Sequence, residues 1–171
     1  ICVISPTEYD VVAERLKKEL GIAPENFWWC LTHTHSAPEL GPPGLPEAFM
    51  PGRYTHQWDK QYTAETEQKL VDAVADALKR LEPAKLAVGW GHANANINRR
   101  ARDGKGKTYL GLNPDLPVDR RIGMLRLDKA DDTPMAIIAN YAMHGTVIGG
   151  QCTLISGDAQ GIVSEYVEKE T

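Results

Sequence analysis

Asn26-Phe27-Trp28-Trp29-Cys30-Leu31 is a short, unbroken apolar run rich in aromatics, and it passes directly into Thr32-His33-Thr34-His35-Ser36. A run of this length suits a strand buried on both faces better than a helix, which needs ten or more residues. Just upstream, Val12, Leu16 and Leu20 recur on one helical face over residues 7–20, with Lys17 and Lys18 outward and Gly21 placed to end the helix. Residues 1–4 are apolar and closed by Ser5 and Pro6, so the opening order reads β-α-β. That order predicts an α/β fold, a mixed and largely buried sheet flanked by helices.

Working outward, residues 36–51 carry Pro38, Pro42, Pro43, Pro46 and Pro51 with Gly41 and Gly44, followed by Gly52. No regular element survives that composition, and a long loop of this kind reads as a functional lid or as disorder, here a rim loop. Residues 63–81 show the clearest helical stripe (Leu70, Val74, Ala77, Leu78, Leu81), closed by Lys79 and Arg80 and followed by Pro83. Residues 86–92 alternate as a half-buried strand. A polar loop around Lys105 and Gly106 leads to a strand at 122–128, and the apolar run 135–142 reads as a central strand. Gly149 and Gly150 turn the chain, and residues 161–170 read as a last helix.

The 171 residues suffice for one ordinary domain, with 42% hydrophobic and 25% charged residues. Disorder would need fewer apolar residues and a more lopsided charge. A net charge of -4 and the lack of any basic run longer than the cluster Arg99, Arg100 and Arg102 exclude a nucleic-acid binder. No apolar stretch approaches the roughly 20 residues of a spanning helix. Cys2, Cys30 and Cys152 make an odd, unpatterned set that reads as free buried thiols and leaves the redox compartment open. The chain opens on Ile1 inside an apparent strand and closes inside an apparent helix, so residues 1–171 are expected to be a single domain that is a fragment, or the ordered part, of something longer. Apolar surface left by a missing portion would favour self-association.

Four segments carry chemistry. In Thr32–Ser36, side chains two apart on extended backbone point the same way, so His33 and His35 converge beyond the end of a strand, where α/β sheets bind ligands. Neutral imidazole is a standard zinc ligand; the structural alternative is a hydrogen-bonded histidine pair propping a loop. His144 follows the run 135–142 and precedes Gly145, which permits close backbone approach. If the strands 26–31 and 135–142 run parallel, both histidine sites emerge on one sheet edge. Asn94, Asn96 and Asn98 alternate ahead of Arg99, whose guanidinium fork suits a carboxylate or an oxyanion; the alternative is a solvated loop. Ser156 or Asp158 in Ser156-Gly157-Asp158 is placed to cap the last helix. His56 and His92 show no supporting partners.

Together, Thr32–Ser36, Asn96–Arg99, Asn113-Pro114, His144–Thr146 and Leu154–Asp158 resemble, in order and spacing, the N-terminal region of the neutral (non-lysosomal) ceramidases. The resemblance implies a zinc amidase that attacks an N-acyl bond with metal-activated water. His33 and His144 match the family's zinc-binding histidines. His35 matches a histidine at the catalytic centre, and Arg99 an arginine near the reacting amide. Two further zinc ligands, a Glu and a Tyr, and a serine-bearing motif come from later in family members, which makes the isolated fragment inactive by expectation. The resemblance favours a secreted or periplasmic protein, with the cytoplasm open. Glu39-Leu40, Arg100-Ala101 and Val147–Gly150 depart from the family pattern at positions that flank its substrate. Another N-acyl compound therefore fits as well as ceramide. Two other classes stay open: an H-x-H metal hydrolase of the amidohydrolase type, with a second metal and further strand-end histidines, and a non-catalytic domain that kept the fold.

Overall fold

A computed structural model describes residues 3–42, 57–149 and 151–171. In chain order the elements are α1 (Pro6–Leu20), a 3-10 turn (Pro24–Asn26), α2 (Lys60–Lys79), β1 (Ala84–His92), β2 (Asn98–Arg102), β3 (Thr108–Asn113), β4 (Arg121–Lys129), β5 (Pro134–Tyr141) and α3 (Asp158–Glu170). The content is α/β, as the sequence implies. Two compact units divide it: Ile1–Leu81 with His144–Thr171, and Glu82–Met143. Among the described residues no helix is long and apolar enough to cross a membrane. Cys2, His56, Gly150 and the loop positions Pro43, Gly44, Pro46, Pro51 and Gly52 lie outside the described residues.

The first unit is built on α1 against α2. Ser5 accepts from the Glu8 N–H and Pro6 sits at the first helical position, while Gly21, at φ 71°, ends the helix on the Lys17 and Leu16 carbonyls. Val12 and Leu16 are fully buried and meet Val71 of α2, with Leu20, Ile22, Phe27, Trp29, Leu70 and Val74 packed around them. The lower part of the α2 stripe stays outside this core: Leu78 and Leu81 are exposed.

Residues 26–31 are not the doubly buried strand that their composition suggests. Asn26 closes the 3-10 turn, and residues 27–31 run on without joining a sheet. Phe27 and Trp29 face the helix core while Trp28, 73% exposed, and Cys30 face outward. One helix pair offers one apolar surface, so only alternate residues are covered. Phe27 also finds partners outside any ladder, its N–H on the Pro24 carbonyl and its carbonyl on the Tyr9 hydroxyl. Cys30 is thus an exposed thiol, and Cys152, also free, is half-buried. Val3 and Ile4 belong to no strand either.

Where α1 meets α2, the buried Glu8 carboxyl is raised to about 7, chiefly by its hydrogen bond to Glu67, then by burial and by the Glu67 charge. The folded state therefore binds this proton more tightly than the unfolded chain. Its contribution to stability is full below pH 4.5 and is lost as pH rises through about 7. Glu8→Gln should flatten that decline: the melting temperature of the variant relative to wild type is expected to rise between these two pH values in paired thermal melts.

In the second unit, β1, β4 and β5 form an antiparallel sheet of order β1-β4-β5, and β2 and β3 form a separate antiparallel pair. The sheet is not mixed, and β5 lies at an edge with β4 central. Nor is it largely buried: Leu86, Val88 and Trp90 are 64%, 67% and 71% exposed. They share a face with Leu125 and Leu127 of β4, and this unit contains strands only, so no helix of its own covers them. The polar loop around Lys105 and Gly106 is the turn of the β2–β3 hairpin, where the Asp103 carboxylate accepts from the Lys105 and Lys107 amides at 2.9 Å. Gly111 lets those strands close up, since a Cβ there would stand 2.7 Å from that of Ala101.

Candidate metal centre

His33, Thr34 and His35 keep the alternation expected of extended backbone: Thr34 is buried, and both histidines are exposed. The run is not a strand, however. His33 stands at φ 53°, in the left-handed region that histidine tolerates better than most side chains, and the chain bends at His35. Thr34 pins this segment by donating to the Ser156 carbonyl at 2.8 Å, and the Ser156 N–H returns to the Ser36 carbonyl at 2.8 Å.

The second histidine segment docks on the first through backbone. The His35 N–H donates to the Gly145 carbonyl at 3.1 Å. Only glycine allows this approach: a Cβ on Gly145 would lie 2.9 Å from the His33 carbonyl oxygen and 3.2 Å from the Thr34 Cα. The Thr146 N–H turns back to the His144 carbonyl at 2.9 Å, which sets the imidazole of His144 beside the other two.

The three rings form one cluster. His33 and His144 stack with centroids 4.8 Å apart, and His35 meets both edge-on, at 5.2 Å and 4.8 Å. The Nε2 atoms of His35 and His144 are 2.9 Å apart, and the potential ligand atoms of all three residues lie within 4.8 Å of one another. Two imidazole nitrogens on one tetrahedral zinc, each at about 2.0–2.1 Å from it, stand roughly 3.3 Å apart. The observed spacings bracket that value, and exposed side chains can close the difference by small rotations. Among the described residues this is the one group of three such side chains.

A cavity of about 310 Å³ opens beside His35, walled by Ala37, Pro38, Cys152, Leu154 and Ile155. Small-ligand sites begin near about 300 Å³. Leu154 and Ile155 present most of their surface to solvent. Ser156 acts at the start of α3, its hydroxyl accepting from the Asp158 N–H at 3.0 Å, while the N-cap position itself is Gly157.

The other sequence candidates belong to the second unit. Arg99 is exposed on β2, its Nε donating to the Gly111 carbonyl at 2.6 Å. The alternating asparagines do not form a shared face of open amides. Asn96 is buried, and its Nδ2 donates to the Asp119 and Ala142 carbonyls at 2.7 and 2.8 Å. Its Oδ1 accepts from the Tyr141 hydroxyl, which also takes the Ala95 and Asn96 amides. Asn98 is spent on the Pro117 carbonyl and the Arg100 amide. Nor is the segment a solvated loop: Asn96 is buried and Asn98 opens β2. Tyr141, which organises that segment, gave no signal inside an apolar run. His92 is exposed at the end of β1.

The family described as neutral/alkaline non-lysosomal ceramidase, N-terminal, matches residues 2–171. Neutral ceramidase B of Dictyostelium discoideum is 31% identical over 142 residues, covering 81% of this chain. Neutral ceramidase A of the same organism is 30% identical over 141 residues, again 81% of this chain. The chain spans 19% of the length of each of these curated relatives. No solved structure matches.

Proposed function

The chain belongs to the neutral/alkaline non-lysosomal ceramidase family, and from that premise we propose that it carries part of the active centre of a zinc-dependent hydrolase of N-acyl amide bonds. The observation that carries the reading is the convergence of His33, His35 and His144, from segments 109 residues apart in sequence, on one exposed point. In this reading His33 and His144 hold zinc, with the remaining ligands supplied by sequence beyond this chain. Zinc, when bound, supplies Lewis-acid polarisation of the amide carbonyl and a lowered pKa for water.

The chain's own residues take the remaining roles. In this reading His35, one ring nitrogen of which faces His144, moves a proton to or from the reacting centre. In this reading the exposed apolar side chains of Pro38, Leu154 and Ile155 beside it meet an aliphatic arm of the substrate. Arg99 orients the substrate through its guanidinium. The substrate class is an N-acyl lipid or another small amide.

One distance favours a second role for His35. Its Nε2 is 2.9 Å from that of His144, close enough for both to bind the same ion, which would make His35 a third ligand. His35→Ala separates the two: zinc kept with turnover lost assigns proton transfer, and zinc lost assigns ligation. The reading as a whole is tested by assaying the full-length protein on ceramide and on a panel of other N-acyl amides, before and after chelation and with zinc restored. Hydrolysis that survives complete metal removal would refute it.

A further inference from the structure

We propose that Asp158 is a positioning residue for this cluster, holding the backbone behind His144; the inference rests on the metal-centre reading above. Asp158 is 2% exposed. A buried carboxylate needs partners, and it has three backbone amides. Oδ1 accepts from Val147 at 3.2 Å and from Ala159 at 2.6 Å, and Oδ2 accepts from Ile148 at 3.2 Å.

An ordinary helix cap would serve only the first turn of α3. Here two of the three amides lie ten and eleven residues upstream, immediately after the His144-Gly145-Thr146 turn. The Asp158 backbone stands at φ 54°, a left-handed conformation that Asp adopts when local hydrogen bonds hold it. Its own N–H is fixed by Ser156, the residue that also ties down Thr34 and Ser36. Asp158 therefore joins the segment bearing His144 to the segment bearing His33 and His35.

The carboxylate is ionised in this setting. Burial, the largest single influence, pushes it up, but the Ala159, Ile148 and Val147 amides together with the His35 charge outweigh burial and hold it below its ordinary value. The carboxylate is tied to the backbone that follows His144 and is not itself one of the clustered ligands. Groups that orient metal ligands from outside the coordination sphere typically change metal affinity by about 10–100-fold when removed.

Asp158→Asn removes the charge, keeps the size and suits the left-handed backbone. In the full-length protein, cobalt(II) titration followed by visible absorption should show affinity about 10–100-fold below wild type and an altered spectrum. Hydrogen exchange of the metal-free protein should speed up at Val147 and Ile148. Should Asp158→Asn not reach the folded state by circular dichroism, Ser156→Ala, which releases the Asp158 N–H, carries the same test. Cobalt affinity within about 2-fold of wild type in a folded variant would overturn the proposal alone, since the wild-type site would stand. Absence of cobalt binding by wild type would overturn the metal-centre reading and this proposal with it.

Discussion

His33→Ala and His144→Ala are each expected to lose stoichiometric zinc and amide hydrolysis together. The two rings stack at 4.8 Å on one side of the cluster, and each would give one ligand to the ion. The Lewis-acid contribution is several kcal/mol, and each ~1.36 kcal/mol is tenfold in rate, so turnover should fall on the order of 10³-fold or more. Stability of the metal-free protein should change little, because both side chains are exposed and neither belongs to the Val12–Leu16–Val71 core. Zinc analysis by mass spectrometry alongside turnover measures both effects on the same samples. Stoichiometric zinc retained in either variant would remove that histidine from the ligand set.

Gly145→Ala should be nearly as damaging, by a different route. The added methyl would sit 2.9 Å from the His33 carbonyl oxygen, closer than real Cβ atoms come, and 3.1 Å from Gln160 Oε1. Backbone must move, and the backbone in question carries His33 on one side and His144 on the other. Overpacking of this sort costs about 1–3 kcal/mol. The variant should therefore melt lower than wild type and bind zinc more weakly, although no imidazole has been removed. A thermal melt and a zinc competition titration check the two halves. Full affinity with a lowered melting temperature would mean that the cluster tolerates the shift, and that Gly145 serves packing alone.

The site was more legible in the sequence than the route by which it forms. Thr32-His33-Thr34-His35 announces two imidazoles close together, and Thr34 is indeed buried between two exposed histidines, although His33 is left-handed rather than extended. The expected route, two parallel strands ending at one sheet edge, is absent. Residues 27–31 join no sheet, and the β5 strand pairs antiparallel with β4. The histidines meet through loop backbone instead, the His35 amide on the Gly145 carbonyl and the Ser156 amide on the Ser36 carbonyl. Contacts of that kind depend on partners more than a hundred residues away and leave no periodic trace.

The same distinction runs through the fold. Helices α1 and α2 were readable from their apolar stripes, and α1 also from Ser5, Pro6 and Gly21 at its ends. The β2 strand, Asn98-Arg99-Arg100-Ala101-Arg102, was not, because one small buried residue among charges carries no alternation. Its hairpin did have a usable cue in Asp103-Gly104, a turn-forming pair followed by Tyr109, Leu110 and Leu112. The run in β5 read as central because unbroken apolar composition usually means burial on both faces; here Met135 and Ile138 are instead exposed on an edge strand. Asp158 read as a cap because the amides it serves lie far upstream of its helix.

X-ray absorption at the zinc edge of the full-length protein tests the central claim most directly, comparing wild type with His33→Ala and His144→Ala. The proposed function predicts one zinc per chain in wild type, with the multiple-scattering pattern of at least two imidazoles at about 2.0–2.1 Å. That pattern should weaken or vanish with the metal in each variant. Stoichiometric zinc whose spectrum shows no imidazole, or one unchanged by both substitutions, would mean that the metal sits elsewhere and that the three histidines have another purpose.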